Sequence, residues 1–191
     1  AVLITGCSTG IGRATAVRLA QAGHRVYASA RHIDAIADLE GSGCHLVQLD
    51  VCDEDSIRAA VTHVSRAEGA VGVLVNNAGF AQLGPLEFLE RRDLERQFDI
   101  NVTGLMRVTR AFAAGMADRK QGRIINLSSI AGVFAFPLMG AYHASKFAVE
   151  ALSDALRQEL GPFGIDVAIV QPSFIASGFE TVAKATLDSV D

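Results

Sequence analysis

The amino-acid sequence predicts an α/β fold, one domain built on a doubly wound parallel sheet. Three observations lead there. Short apolar runs alternate with helical patterns along the 191 residues, as crossover units do. The runs VLI, VLV and VAIV are continuous rather than alternating, as strands covered on both faces are. A glycine-rich stretch lies between the first strand and the first helix, where a helix N-terminus can receive an anion.

The elements follow in order. Residues 2–5 read as a buried strand stopped by Gly6, and Ile11, Ala14, Val17, Leu19 and Ala20 give 11–22 a helical period. Residues 25–30 (RVYASA) are strand-like, and 33–39 form a short helix. CHLVQL over 44–49 is a third strand, with a helix over 55–67. VGVLV over 71–75 is the most apolar strand. A helical pattern spans 91–118 and is expected to break near Asn101, because asparagine is unfavourable inside a helix. RIINL over 123–127 is a strand, and the helix over 142–160 ends at Gly161-Pro162. IDVAIV over 165–170 is the sixth strand. Right-handed crossovers then put helices on both faces. No repeat or linker interrupts the chain, so a single domain over 1–191 is expected.

Half of the residues are apolar and 20% are charged, enough for one sizeable core and incompatible with a disordered chain. A net charge of −4 excludes a global basic footprint, so no nucleic-acid partner is expected. Cys7, Cys44 and Cys52 form no CxxC pair and cannot all pair internally, which fits a reducing compartment. No metal site is expected. The longest uncharged stretch, 124–145, holds Asn126, Ser128, Ser129 and Pro137, whereas a membrane span needs ~20 predominantly apolar residues. The first residues, AVLITG, carry neither a signal-peptide pattern nor a methionine. A cytoplasmic protein whose natural N-terminus lies further upstream is the expectation.

The stretch TGCSTGIG over 5–12 has the spacing GxxxGxG. Glycines there permit a tight turn and close approach of the backbone, and helix N-terminal amides favour a dinucleotide pyrophosphate. An ordinary tight turn is the alternative. The second strand runs into Arg31, nineteen residues after Gly12, with no acidic residue at that strand end. A carboxylate there would hold the ribose 2′-hydroxyl of NAD, whereas Arg pairs with the 2′-phosphate of NADP. NADP is therefore preferred over NAD, the alternative being a solvated arginine.

Tyr142 and Lys146 are four apart on a helix and share a face. An ammonium beside a phenol favours the phenolate and makes a candidate general acid/base. Ser128 and Ser129 end the fifth strand, at the carboxyl edge where such sheets bind ligands. Asn76, Asn77, Ala78 and Gly79 end the fourth, and their two amides are candidates for a ligand contact or a turn.

Taken together, TGCSTGIG at 5–12, NNAG at 76–79, Asn101 in NVTG, Ser129 in INLSS and YHASK at 142–146 resemble the short-chain dehydrogenase/reductase family, in its single-domain branch. The motifs arrive in the family's order and cover nearly the whole chain. The resemblance implies a Rossmann-type fold and a role for each residue. Tyr142 would be the acid/base, and Lys146 would lower its pKa and hold the nicotinamide ribose. Ser129 would bond the substrate oxygen, and Asn101 would position a water linking Lys146 to solvent. Gly6, Ser8, Thr9, Gly10, Ile11 and Gly12 would cradle the phosphates. Asp50 and Val51 would contact adenine. Asn77, Ala78 and Gly79 would flank the adenosine ribose. Pro172, Ile175 and Ser177 would lie at the carboxamide. Ser173 stands where the family carries glycine. The family also continues into a seventh strand and a last helix, so the chain is expected to be incomplete at its end as well, stopping at Asp191 inside the substrate loop.

The expected reaction is hydride transfer between NADP(H) and a small carbonyl/alcohol substrate. Residues 131–139, with Phe174 and Phe179, would form an apolar wall suited to a hydrophobic substrate. The segments VYASAR and YHASKFAVEALSDALRQELGPFGIDV look like the hydroxysteroid and retinol dehydrogenase end of the family. Alternatives are a 3-oxoacyl carrier-protein reductase, a sugar-alcohol dehydrogenase, or an NADP-sensing binding protein without turnover. The resemblance also implies a homodimer or homotetramer through the helices around 102–116 and 147–160.

Overall fold

The computed structural model describes residues 1–175 and 178–187 of the chain. Six strands, β1 (Val2–Ile4), β2 (Val26–Ala30), β3 (His45–Gln48), β4 (Val73–Asn76), β5 (Gly122–Leu127) and β6 (Ile165–Val170), form one sheet in the order β3-β2-β1-β4-β5-β6. Every neighbouring pair is parallel. The helices are α1 (Gly10–Gln21), α2 (Glu54–Glu68), α3 (Arg91–Phe98), α4 (Leu105–Asp118), α5 (Gly140–Leu160) and α6 (Phe179–Leu187). The α/β, doubly wound parallel sheet expected from the sequence is the fold observed.

Alternation along the strands divides the core between the two faces. Leu3, Leu74 and Ile124 are in register across β1, β4 and β5 and pack with Val108, Phe112 and Met116 of α4. Ile4 and Val75, one position on, face the other way, toward Ala16 of α1 and toward Ile36 and Leu39. The chain winds outward from β1 to β3, then returns to β4 on the other side of β1. The loops after β1 and β4 therefore part, and such a switch point opens a crevice at the carboxyl ends of the strands.

Three details differ from the sequence expectation. Residues Ile33–Ser42 form a 3-10 helix rather than a short α-helix over 33–39. The fourth strand lies at Val73–Asn76 rather than 71–75, which draws Asn76 into the sheet. Residues Phe179–Leu187 are helical, where a loop was expected. The interruption expected near Asn101 is a π-helical turn, Asp99–Gly104, joining α3 to α4 without leaving the helix. Wider turns of this kind gather at functional sites.

Candidate active site

The crevice is a groove of about 550 Å³ along the carboxyl edge of the sheet. At its β1 end lie Gly6, Ser8, Thr9, Gly10 and Ile11. Thr9 caps α1 without a side-chain hydrogen bond, and the first turn of α1 has no acidic residue. The first-turn amides can thus serve an anion. Gly6 has φ +72°, and a Cβ there would meet the Ala78 Cα at 2.8 Å. Gly12 does not line the groove; it packs beneath the loop, where a Cβ would meet the Asn77 Nδ2 at 2.3 Å.

The loop is held from below. Asn77 Nδ2 donates to the carbonyls of Thr5 and Gly6, at 2.8 and 3.0 Å. Thr5 Oγ1 accepts from the amides of Asn77 and Ala78, both at 3.0 Å. Asn76 Nδ2 donates to Thr109 Oγ1 and Asn126 Oδ1, and Asn126 in turn donates to Ser153 Oγ, each at 2.9 Å. The two amides of 76 and 77, candidates for ligand contact, are thus braces inside the protein. Asn77, Ala78 and Gly79 still border the groove.

Cys7, within the glycine loop, turns inward and donates to the Ile4 carbonyl at 3.3 Å; burial pushes its thiol up to about 12. It is packing, not a nucleophile. Arg31, exposed at the end of β2, and Asp50 and Val51, after β3, line the same groove. Asp50 Oδ1 accepts the Cys52 amide at 2.9 Å, which closes a local turn.

Ser129, Tyr142 and Lys146 meet across the groove from the loop. Tyr142, 7% exposed, sits in the first turn of α5 and packs against Phe179 of α6, ring centres 5.6 Å apart. Burial raises its pKa above the ordinary phenol value, and the Ser129 hydroxyl pulls it back down. Lys146 Nζ lies 5.7 Å from the Tyr142 ring centre and donates to the Leu127 carbonyl at 2.7 Å. Burial lowers its pKa to about 8, opposed by the charge of Glu150 one turn on. The lysine was expected to pull the tyrosine down; the influences on the phenol here are its own burial, which raises it, and the Ser129 hydroxyl, which lowers it. Ser129 Oγ also accepts from the Ala131 amide at 3.1 Å.

Asn101 is buried beside the groove. Its Oδ1 accepts the Phe80 amide, and its Nδ2 donates to the Phe80 carbonyl and to Ser145 Oγ, at 3.0, 2.9 and 3.1 Å. Its side chain ties the π turn to the loop after β4 and to α5. Pro172 and Ile175 line the groove. Ser177 lies outside the described residues. Ser173 has no positive φ, so it occupies the glycine position without backbone strain.

The apolar wall is only partly as expected. Ala131, Phe136, Met139, Phe174 and Phe179 line the groove, but Phe174 is 81% exposed, and Val133, Phe134 and Leu138 point outward. Sequence reasoning missed Val182 and Ala183, which α6 brings to the groove. The spacing of Phe179, Val182, Ala183 and Thr186 is the helical signal that could have found them. No helix among the described residues is long and apolar enough to cross a membrane.

A family model described as short chain dehydrogenase matches residues 1–188. The chain is 39% identical over 179 residues to 3-ketodihydrosphingosine reductase of Bacteroides thetaiotaomicron, covering 93% of this chain and 65% of that protein. It is 39% identical over 191 residues to human 17-beta-hydroxysteroid dehydrogenase type 1, covering 93% and 57%. It thus spans less than two thirds of the length of these relatives. Among solved structures, a short-chain dehydrogenase from Streptomyces avermitilis superposes with a TM-score of 0.87 at 40% identity, covering 91% of this chain and 66% of that one. With its sheet order, its glycine loop and these matches, the chain belongs to the short-chain dehydrogenase/reductase family.

Proposed function

We propose that the protein transfers a hydride between NADP(H) and an apolar carbonyl/alcohol pair, with Tyr142 as the general acid/base. The observation that carries this reading is the convergence of a helix N-terminus stripped for an anion, a buried tyrosine and a buried lysine on one groove. The groove fits the cofactor by its own chemistry: the first-turn amides of α1 carry no side-chain cap and face no acidic residue of that turn, and Arg31 lines the same groove. Gly6, Ser8, Thr9, Gly10, Ile11 and Gly12 would hold the phosphates, with Asp50, Val51, Asn77, Ala78 and Gly79 along the adenosine. Pro172, Ile175 and Ser177 would hold the carboxamide. The bound nicotinamide supplies the hydride. Ser129 orients the substrate oxygen, and Tyr142 gives or takes its proton. Lys146 carries the positive charge beside the phenol, and Asn101 would position a water that links Lys146 to solvent. The apolar lining of Ala131, Phe136, Met139 and Phe179 favours a hydrophobic substrate, in keeping with the named substrates of the two relatives.

Arg31 makes the cofactor test. A guanidinium on a phosphate is worth roughly 1.5–3 kcal/mol, so Arg31→Ala is expected to weaken NADPH binding by about ten- to a hundredfold. NADH binding is expected to change by less than about twofold, since it lacks the phosphate. Fluorescence titration of both nucleotides measures this. Wild-type preference for NADH would end the NADP reading and leave the family standing.

We propose that the outer faces of α4 and α5 pair in a homodimer. Met106, Ala113, Ala114, Ala117, Leu160 and Phe163 line an open groove of about 710 Å³ there, rimmed by Arg107, Arg110 and Glu54. An apolar face rimmed by charge suits a self-complementary interface. Ala114→Glu puts a charge into it and is expected to yield a monomer by light scattering; a wild type that is itself monomeric refutes the proposal. Three free cysteines support a cytoplasmic location.

A further inference from the structure

We propose that His143 is a positioning residue: its imidazole clamps the 131–136 segment and so decides which carbonyl compounds reach Tyr142. The inference rests on the reading of Tyr142 as the acid/base and deepens it to substrate selection. His143 follows Tyr142 in α5 and is 2% exposed. Both of its ring nitrogens are used. Nδ1 lies 2.9 Å from the Ala131 carbonyl, and the Phe136 amide lies 3.0 Å from Nε2. The carbonyl can only accept and the amide can only donate. Nδ1 therefore donates and Nε2 accepts.

The clamp holds a segment that has little else to hold it. After the 3-10 turn Ile130–Gly132 the chain has no regular hydrogen bonding until α5 begins at Gly140. Leu138, at φ +64°, is tied through its carbonyl to the Gly84 amide at 2.9 Å. Val133 donates back to the Ile130 carbonyl at 3.1 Å, and beyond it the bond from Phe136 to His143 ties the segment to α5. The ring also packs edge-on against Phe136, centroids 5.6 Å apart, and Phe134 stacks edge-on against Phe136 at 4.8 Å. Phe136 and Ala131 both line the groove, and Ala131 packs with Tyr142. One imidazole thus fixes two groove-lining residues relative to the phenol next to it in sequence.

Two measurements test this on the wild type, His143→Phe and His143→Asn. The first is amide hydrogen exchange at Phe136, which needs no substrate. The amide is expected to be protected in the wild type and to exchange about tenfold or more faster in both variants. Equal exchange in wild type and His143→Asn overturns the clamp. The second is reduction of straight-chain 2-ketones from 2-butanone to 2-decanone with NADPH. In His143→Asn, which keeps a donor for Ala131, KM for 2-decanone is expected to rise about tenfold, while kcat for 2-butanone stays within about threefold. A uniform fall of kcat along the series would mean general structural damage and would refute the selecting role. If His143→Phe does not fold, His143→Asn alone decides. A wild type that reduces no ketone, yet shows protection that depends on His143, upholds the clamp and sinks the ketone reading instead.

Discussion

Replacing Tyr142 by phenylalanine is expected to cut carbonyl turnover by about 10²–10⁴-fold while leaving NADPH affinity within about twofold of wild type. The substitution removes one oxygen and keeps the ring that packs on Phe179 and Ala183. The fold is therefore preserved, and the loss of one contact with Ser129 costs about 1 kcal/mol or less. The chemical loss is larger because the two groups that meet the phenol are poor substitutes for it. Ser129 is a poor acid, and Lys146 points its Nζ at the Leu127 carbonyl.

The same geometry gives the pH dependence a sign. Burial keeps the phenol protonated above its ordinary range, so in the reducing direction the proton donor is present throughout neutral pH. Lys146 changes first, near pH 8, and loses its charge as pH rises. The kcat/KM for carbonyl reduction, which reports the free enzyme, is expected to hold below that pH and fall above it. In the oxidising direction the phenolate is required, and the rate is expected to rise with pH instead. Turnover by Tyr142→Phe within about tenfold of wild type would refute the acid/base assignment.

How much of this could be read from the residues depends on what each feature needs. The strands β1 and β4 and the glycine loop were legible because burial on both faces writes continuous apolar runs, and because glycine at a strand end is conspicuous; the apolar VAIV run of β6 instead belongs to an edge strand buried mainly at alternate positions. The i, i+4 spacing placed Tyr142 and Lys146 on one face of α5, and an asparagine inside a helical pattern marked the π turn at Asn101. Orientation was not legible. A strand end says that Asn76 and Asn77 lie near the groove, but not that Asn76 turns to Thr109 and Asn126, or that Asn77 reaches back to Thr5 and Gly6. His143 was passed over because the residue after Tyr142 is turned about 100° away around a helix. That it is still part of the site follows from the path of 131–136 across α5, which is tertiary. Desolvation at Tyr142 was not legible for a related reason: charge pairing is visible in spacing, whereas desolvation depends on what covers the group.

Gly12→Ala is expected to weaken NADPH binding by at least about a hundredfold, close to 3 kcal/mol, although Gly12 is not at the groove's surface. Gly12 needs to be glycine for space. A methyl group would stand 2.3 Å from Asn77 Nδ2 and 2.6 Å from the Gly6 carbonyl. Asn77 cannot swing aside without losing its bonds to the Thr5 and Gly6 carbonyls, so the loop and the start of α1 must part. Overpacking of this kind costs roughly 1–3 kcal/mol of stability, and the amides that would face the phosphates shift with it. Gly23→Ala is the control. Gly23 has φ +85° and nothing within 4 Å of a Cβ, so alanine there is strained but uncrowded, and it lies past the far end of α1. It is expected to lower stability in urea while leaving NADPH affinity unchanged. A double variant, Gly12→Ala with Asn77→Ala, separates crowding from a general demand for glycine. Removing the amide lifts the nearer of the two clashes and leaves the Gly6 carbonyl at 2.6 Å, so the double variant is expected to lose less than the sum of the two single losses that independent sites would show. An additive loss would mean that Asn77 serves the cofactor in its own right rather than by bracing the loop.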